Sequence, residues 1–207
     1  MNTTFKKKKY LVCKTVISKE ISNFLYQYLL LKRHVASTMF NEKFISPFTS
    51  YFGRWDDPQV PNTYSHYGDI ATETLLANLL PKVQKITGLN LTPNYSYSRI
   101  YKKGDELKRH KDRPSCEIST TINLGGDNWS IYLEPSGEVG KKGIKVDLKQ
   151  GDMLIYLGCE LEHWRKPFKG KNCSQVFLHY NNKKHINASE NLFDTRPHLG
   201  LPADFKK

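Results

Sequence analysis

The sequence predicts a mainly β protein, an antiparallel jelly roll supported by helices on its N-terminal side. Three observations point there. Helical periodicity is confined to the residues before Pro93, short strand-like segments fill the chain from Tyr95 to Tyr180, and turn residues separate them at close, even spacing. The chain reads as a single domain over residues 1–207. Residues 1–93 supply an N-terminal strand, helices and an aromatic loop, 94–180 the jelly-roll core, and 181–207 a C-terminal cap or tail.

Tyr10 to Ile17 is rich in β-branched and aromatic residues and predicts the first strand. Ser18 stands at an N-cap position, and Ile21, Phe24, Leu25, Tyr28 and Leu29 recur at helical spacing, so a helix runs from there to about Arg33. From Val35 to Asp69 the pattern breaks. Pro47, Gly53, Pro58 and Pro61 punctuate a stretch carrying Phe48, Tyr51, Phe52, Trp55, Tyr64 and Tyr67. Such a stretch is either a lid over a site or irregular structure packed on the core. Thr72 to Lys85 returns to helical period through Leu75, Leu76, Leu79, Leu80 and Val83, with Gly88 where a helix would stop. Pro81 inside it predicts a kink or a break.

After Pro93 the predicted strands are Tyr95–Tyr101, Leu107–Asp112, Cys116–Leu124, Trp129–Leu133, Gly143–Leu148, Met153–Leu157, Leu161–Phe168 and Ser174–Tyr180. Gly125-Gly126-Asp127-Asn128, Pro135-Ser136-Gly137 and Gln150-Gly151-Asp152 mark turns between several of them. The polar tail from Asn181 predicts an irregular cap.

Composition narrows the function classes. The chain has 207 residues, enough for one full core. Leu29-Leu30-Leu31 runs straight into Lys32 and Arg33, so it belongs to a helix face rather than a bilayer. Lys6 to Lys9 precede no apolar stretch, which argues against a secretory signal. Cys13, Cys116, Cys159 and Cys173 are scattered without a CxxC, as expected of reduced thiols in a cytoplasmic protein. The 32 Lys and Arg against 20 Asp and Glu give a net charge of +12. That excess would attract an anionic partner such as nucleic acid. The lysines are spread out, however, and are not interleaved with aromatics as in a single-strand groove, so a solvated basic surface is favoured.

The chemistry-bearing residues are His110, Asp112 and His163. His110-Lys111-Asp112 ends one predicted strand, and Glu162-His163-Trp164-Arg165 lies on a later one. Two imidazoles and one carboxylate form the facial triad that holds ferrous iron and leaves the opposite face open. Zinc is the competing metal for such a set, although the His-Glu-x-x-His pattern is absent.

From Tyr95 to Tyr180 the chain resembles the 2-oxoglutarate and Fe(II)-dependent dioxygenases, in particular the prolyl-4-hydroxylase-like branch. The resemblance rests on Tyr101-Lys102-Lys103-Gly104, His110-x-Asp112, Gly151-Asp152-Met153-Leu154-Ile155-Tyr156, His163 with Pro167 four residues on, and Gly170-Lys171. It implies a double-stranded β-helix core, Fe(II) on His110, Asp112 and His163, and 2-oxoglutarate as co-substrate, with ascorbate as an optional support. The implied reaction is hydroxylation of a C–H bond, on a prolyl residue or related amino-acid or peptide substrate, with release of succinate and CO2. Tyr101 occupies the place of the family's cofactor-facing tyrosine.

The chain departs from the family at Leu107, where a tyrosine is common, and at Asn172 and Cys173, where a basic residue is usual. The distal carboxylate of the co-substrate still needs a cation. Arg165, two residues after His163 and so on the same side of a strand, is the first candidate, and Lys171 the second. Arg113 would reach the rim of the site, contact substrate, brace Asp112, or remain solvated. The other readings left open are a nucleobase-directed oxygenase, a non-catalytic basic jelly roll binding nucleic acid, and a zinc hydrolase.

Overall fold

A computed structural model describes residues 2–207. In chain order the elements are α1 (Thr3–Lys8), β1 (Tyr10–Cys13), α2 (Lys19–Asn41), β2 (Tyr64–Tyr67), α3 (Ile70–Thr87), β3 (Leu91–Lys102), β4 (Leu107–His110), β5 (Ile118–Gly126), β6 (Ile131–Leu133), β7 (Ile144–Val146), β8 (Met153–Leu157), β9 (His163–Arg165) and β10 (Asn172–Asn182). The strands form two antiparallel sheets. One has six strands in the order β1-β8-β5-β10-β3-β2, the other four in the order β4-β9-β6-β7. From β3 to β10 the chain alternates between the sheets except at the β6-β7 hairpin, the winding expected of a jelly roll.

The large sheet sorts its side chains by a period of two. On β10, Val176, Leu178 and Tyr180 join the cluster that includes Leu25, Leu29, Leu76 and Val83 of α2 and α3. Ile118, Ile122 and Leu124 of β5 and Met153 and Ile155 of β8 belong to the same cluster. The helices therefore cover the outer face. The intervening residues face the small sheet. Leu154 and Tyr156 pack with Ile131, Leu133 and Leu161, and Tyr101 and Cys173 pack with Leu107, Phe168 and Val60.

Both helices begin where the sequence places a cap or close to it. Ser18 accepts from the Ile21 amide, and Asp69 accepts from Ala71 and Thr72. Gly88 closes α3 at φ 65°, a left-handed position that glycine takes without Cβ strain. Three expectations need correction. The helix expected to stop near Arg33 continues to Asn41, because no breaker intervenes, Ala36 is buried, and Phe40 reaches Trp55 at 6.4 Å. The helix around Pro81 does not break, running from Ile70 to Thr87. Leu75, Leu76, Leu79 and Val83 all stay buried, so packing against the sheet outweighs the lost backbone hydrogen bond. The 35–69 stretch holds the end of α2 and also β2, an edge strand paired with β3 from Tyr64↔Ile100 to Tyr67↔Tyr97.

The C-terminal segment is an irregular cap with two 3-10 turns, Leu192–Thr195 and Ala203–Phe205. Arg196 is buried and ion-paired to buried Glu73 of α3 at 2.7 Å. Asp194 accepts from Arg113 at 2.9 Å, from the Tyr67 hydroxyl at 2.7 Å and from Lys206 at 2.6 Å. These contacts hold Phe193, Asp194 and Thr195 at positive φ, a run that ordinary residues adopt only under such restraint.

Removing one partner of a buried pair strands the other charge, so Arg196→Met should cost about 3–5 kcal/mol of unfolding free energy in urea titrations. The double change Glu73→Leu with Arg196→Met should recover most of that loss. A single-variant cost below about 1 kcal/mol would mean that the pair does not anchor the cap.

Candidate active site

Strand pairing brings the triad together. His110 on β4 and His163 on β9 are direct register partners, with ring centroids 4.2 Å apart. Asp112 follows β4, and its Oδ1 lies 3.7 Å from His110 Nε2 and 3.4 Å from His163 Nε2. One ligand atom from each of the three residues falls within 4.8 Å of the others, a spacing that suits one metal ion. Both histidines are pre-set as ligands. His110 Nδ1 sits 2.7 Å from the Lys108 carbonyl and His163 Nδ1 3.1 Å from the Leu161 carbonyl. A carbonyl only accepts, so each Nδ1 carries the proton and each Nε2 keeps its lone pair, which on His110 accepts from Gln59 Nε2.

Asp112 is held as firmly. Its backbone N–H donates to the Gly158 carbonyl at 2.9 Å, and the Ser119 hydroxyl donates to its Oδ2 at 2.6 Å. Any Cβ at Gly158 would come within 2.4 Å of that Oδ2, so the close approach requires glycine. Burial by itself pushes the Asp112 carboxyl up, but His163, His179 and the Ser119 hydroxyl outweigh it and hold the group well below the usual carboxylate range. The His110 imidazole is pushed down by burial and by His163 beside it, which keeps it neutral and available. A neutral His110 imidazole and an ionised Asp112 carboxylate suit a divalent metal.

The triad lines one end of an open cavity of about 270 Å³ whose walls include Tyr95, Tyr97, Arg99, Tyr101, Phe177 and His179. Tyr101 is fully buried, its ring edge-on to Trp129 at 4.7 Å. Arg165 is 1% exposed, lies over the Trp129 ring at 5.0 Å, and donates from Nη1 to the Trp129 carbonyl. Its Nε and Nη2 are buried without a hydrogen-bond partner. Lys171 is exposed at the turn before β10, where its backbone N–H donates to Asp127. Cys173 is fully buried and Asn172 half-buried. Arg113 reaches the rim of the cavity, half exposed, and does not brace Asp112. It lies over the Tyr95 ring at 4.7 Å and binds Asp194 of the cap.

Several site residues carried no sequence signal. Asp57 and Gln59, in the loop before β2, reach the cavity. Asp57 pairs with buried Arg99 at 2.5 Å, Gln59 Oε1 accepts from Arg99 at 3.0 Å, and Gln59 Nε2 lies 3.0 Å from His110 Nε2. The aromatic part of that loop turns away, with Trp55 packed on Tyr64 at 5.0 Å and Phe48 94% exposed. Polar residues, rather than the aromatics, therefore border the triad. Arg99 and His179 were findable. Each lies at even spacing on its strand from another inward residue, Tyr101 and Cys173 respectively.

No family profile matches the chain, and no curated protein sequence does. Solved structures do match its fold. A prolyl-4-hydroxylase from Pseudomonas putida aligns over 86% of this chain and 95% of its own, at 13% identity and a TM-score of 0.60. HygX from Streptomyces hygroscopicus, solved with nickel and 2-oxoglutarate bound, aligns over 87% and 85%, at 15% identity and 0.61. The viral collagen prolyl hydroxylase of Paramecium Bursaria Chlorella virus-1, solved as a 2-oxoglutarate complex, aligns over 84% and 97%, at 11% identity and 0.56.

His179 yields a stability prediction. Burial lowers its pKa from 6.5 to about 4, so the unfolded chain binds a proton that the folded one refuses between those values. Stability from this group is complete above about pH 6.5 and is lost as pH falls toward about 4, by roughly 3 kcal/mol over the window. Urea unfolding at several pH values should show that slope, and His179→Gln should flatten it. An unchanged slope in the variant would assign the loss to other groups.

The order of the strands in both sheets and the His-x-Asp and His placed between them give this chain the fold of the 2-oxoglutarate and Fe(II)-dependent oxygenases.

Proposed function

We propose that the protein is a non-haem Fe(II) and 2-oxoglutarate-dependent dioxygenase that hydroxylates a C–H bond, with a prolyl residue or a related amino-acid or peptide group as substrate. The observation that carries this reading is the His110, Asp112, His163 triad brought together at the wall of an open cavity. When bound, iron and 2-oxoglutarate supply the oxidising chemistry, one oxygen atom going to the substrate C–H bond and the other to succinate, with loss of CO2.

The chain's own residues position those groups. His110, Asp112 and His163 hold the metal by Nε2, carboxylate and Nε2. Arg165 offers Nε and Nη2 to the distal carboxylate of the co-substrate, a planar fork matched to a planar anion. Lys171, exposed at its turn, is the weaker candidate. Tyr101 lines the triad's cavity, where its hydroxyl would donate to the co-substrate. The prolyl hydroxylase structures of similar fold support an amino-acid or peptide substrate. Four free cysteines support a cytoplasmic location.

Anaerobically loaded Fe(II) protein should convert 2-oxoglutarate to succinate when oxygen is admitted. Changing His110, Asp112 or His163 to Ala should cut that turnover by more than about 100-fold, since even groups behind metal ligands commonly contribute 10–100-fold. Full turnover in a triad variant, or activity that depends on zinc, would overturn the reading.

The co-substrate anchor is tested separately. Losing a buried charge-assisted contact costs about 2–5 kcal/mol, so Arg165→Ala should raise the KM for 2-oxoglutarate by about 30-fold or more. Lys171→Ala should change it by less than about 3-fold, since an exposed charge contributes little. The reverse ranking would make Lys171 the anchor.

A further inference from the structure

His110 and His163 belong to the small sheet, yet the side chains that meet the triad from behind belong to the large one. Ser119 of β5 and His179 of β10 are direct register partners, and His179 is also the partner of Tyr95 on β3. On its other side Ser119 pairs with Tyr156 of β8. Tyr95, His179, Ser119 and Tyr156 thus form one row across four strands, and all four are buried. Tyr156 meets the His163 ring edge-on at 4.8 Å, and Ser119 meets Asp112, so the row touches two of the three triad residues. His179 touches neither. It is held against Tyr95 with ring centroids 4.5 Å apart, and the Tyr95 hydroxyl lies 2.9 Å from Cys116 Sγ. The pairing of β10 with β3 shifts register just past His179, the kind of irregularity that re-aims a side chain beside a site.

Counting protons gives the direction of each bond. Ser119 Oγ has one proton and three polar neighbours: Asp112 Oδ2 at 2.6 Å, the Cys116 carbonyl at 3.0 Å and His179 Nδ1 at 3.0 Å. An ionised carboxylate is the strongest acceptor of the three and also the nearest, so it takes the proton. His179 Nδ1 must then donate to Oγ rather than accept from it. A chain results from His179 Nδ1–H to Ser119 Oγ–H to Asp112 Oδ2, in which each bond polarises the next. It ends on Oδ2 and leaves Oδ1, the oxygen 3.7 Å from His110 Nε2 and 3.4 Å from His163 Nε2, facing the two imidazoles. We propose that Ser119 and His179 are positioning residues for the metal site, a relay that fixes the Asp112 carboxylate with Oδ1 toward the histidines. The inference rests on the reading of His110, Asp112 and His163 as metal ligands. Because His179 acts only through Ser119, removing it should matter only while Ser119 is present.

Co(II) titration of the full chain tests this by affinity, without turnover. Ser119→Ala should weaken Co(II) binding by about 10–100-fold, the usual effect of losing a group behind a metal ligand. Two changes at His179 separate the relay from packing. His179→Phe keeps a ring against Tyr95 but removes the donor, and should weaken binding by about 3- to 10-fold, as for one lost hydrogen bond. His179→Asn loses the ring but keeps an N–H near the place of Nδ1, and should stay within about 2-fold of wild type. In the Ser119→Ala background, His179→Phe should change affinity by less than about 2-fold, since members of one hydrogen-bonded chain are not additive. Wild-type affinity in Ser119→Ala overturns the proposal, and so does an undiminished effect of His179→Phe in that background. Weaker binding by His179→Asn than by His179→Phe assigns His179 to packing and overturns its place in the relay. If wild type binds no Co(II), or binding survives His163→Ala, the metal reading of the triad falls and the relay with it. That result is distinct from wild-type binding that no relay variant weakens, which sinks the relay alone.

Discussion

The period-two alternation of the six-stranded sheet is the constraint from which the other features follow. Ile118, Ile122 and Leu124 of β5, Met153 and Ile155 of β8, and Val176, Leu178 and Tyr180 of β10 share one core cluster with α2 and α3. That arrangement excludes water from the outer face and places the alternate residues between the sheets. A one-residue slip would expose the helix-facing set and bury polar groups against apolar helices. The sheet is thus free to carry Arg99, Ser119, Gln175 and His179 on its inner face, where a globular core would ordinarily be apolar. The cost of burying them is offset by hydrogen bonds among themselves and to the triad.

Within that polar interior, rigidity comes from the backbone. Two carbonyls fix two imidazole tautomers, and one glycine lets the main chain approach Asp112 closely. The carboxylate is ionised because neighbouring imidazoles and a hydroxyl outweigh its desolvation. The three ligands are therefore held close together, and an ion needs only to displace Gln59 Nε2 from His110 Nε2. Both interior guanidiniums keep buried nitrogens without partners. Arg99 binds Asp57 and Gln59 on a loop that Val60 anchors in the core and lines the cavity wall, with its Nε unpaired. Arg165 keeps Nε and Nη2 unpaired.

Asn172 and Cys173 stand where a basic residue is usual, and the register explains how the fold accommodates this. Cys173 pairs across from Tyr101, and Arg165 pairs across from Leu107. Tyr101, Leu107 and Cys173 share one small apolar cluster, and Trp129, which packs on it, also carries the Arg165 guanidinium. A cation from β9 thus reaches the neighbourhood that β10 would otherwise serve, with Cys173 leaving the space a longer side chain would fill.

Residue order alone was enough to place the strands from Tyr95 to Tyr180, the caps at Ser18 and Gly88, and the three triad residues. Each is written in local spacing: periods of two or 3.6, turn residues, and a His-x-Asp at a strand end. Arg165 was legible for the same reason, since alternation from His163 fixes its side. Long-range packing settled everything else. The extension of α2 to Asn41 and the continuity of α3 through Pro81 depend on what those helices pack against, and packing overrides propensity. The role of Arg113 was set by Asp194, 81 residues away, and the cavity wall by Asp57 and Gln59, which no periodicity marks. Contacts between distant segments leave no trace in local spacing, because what fixes them is the shape of the surface on which a loop comes to rest.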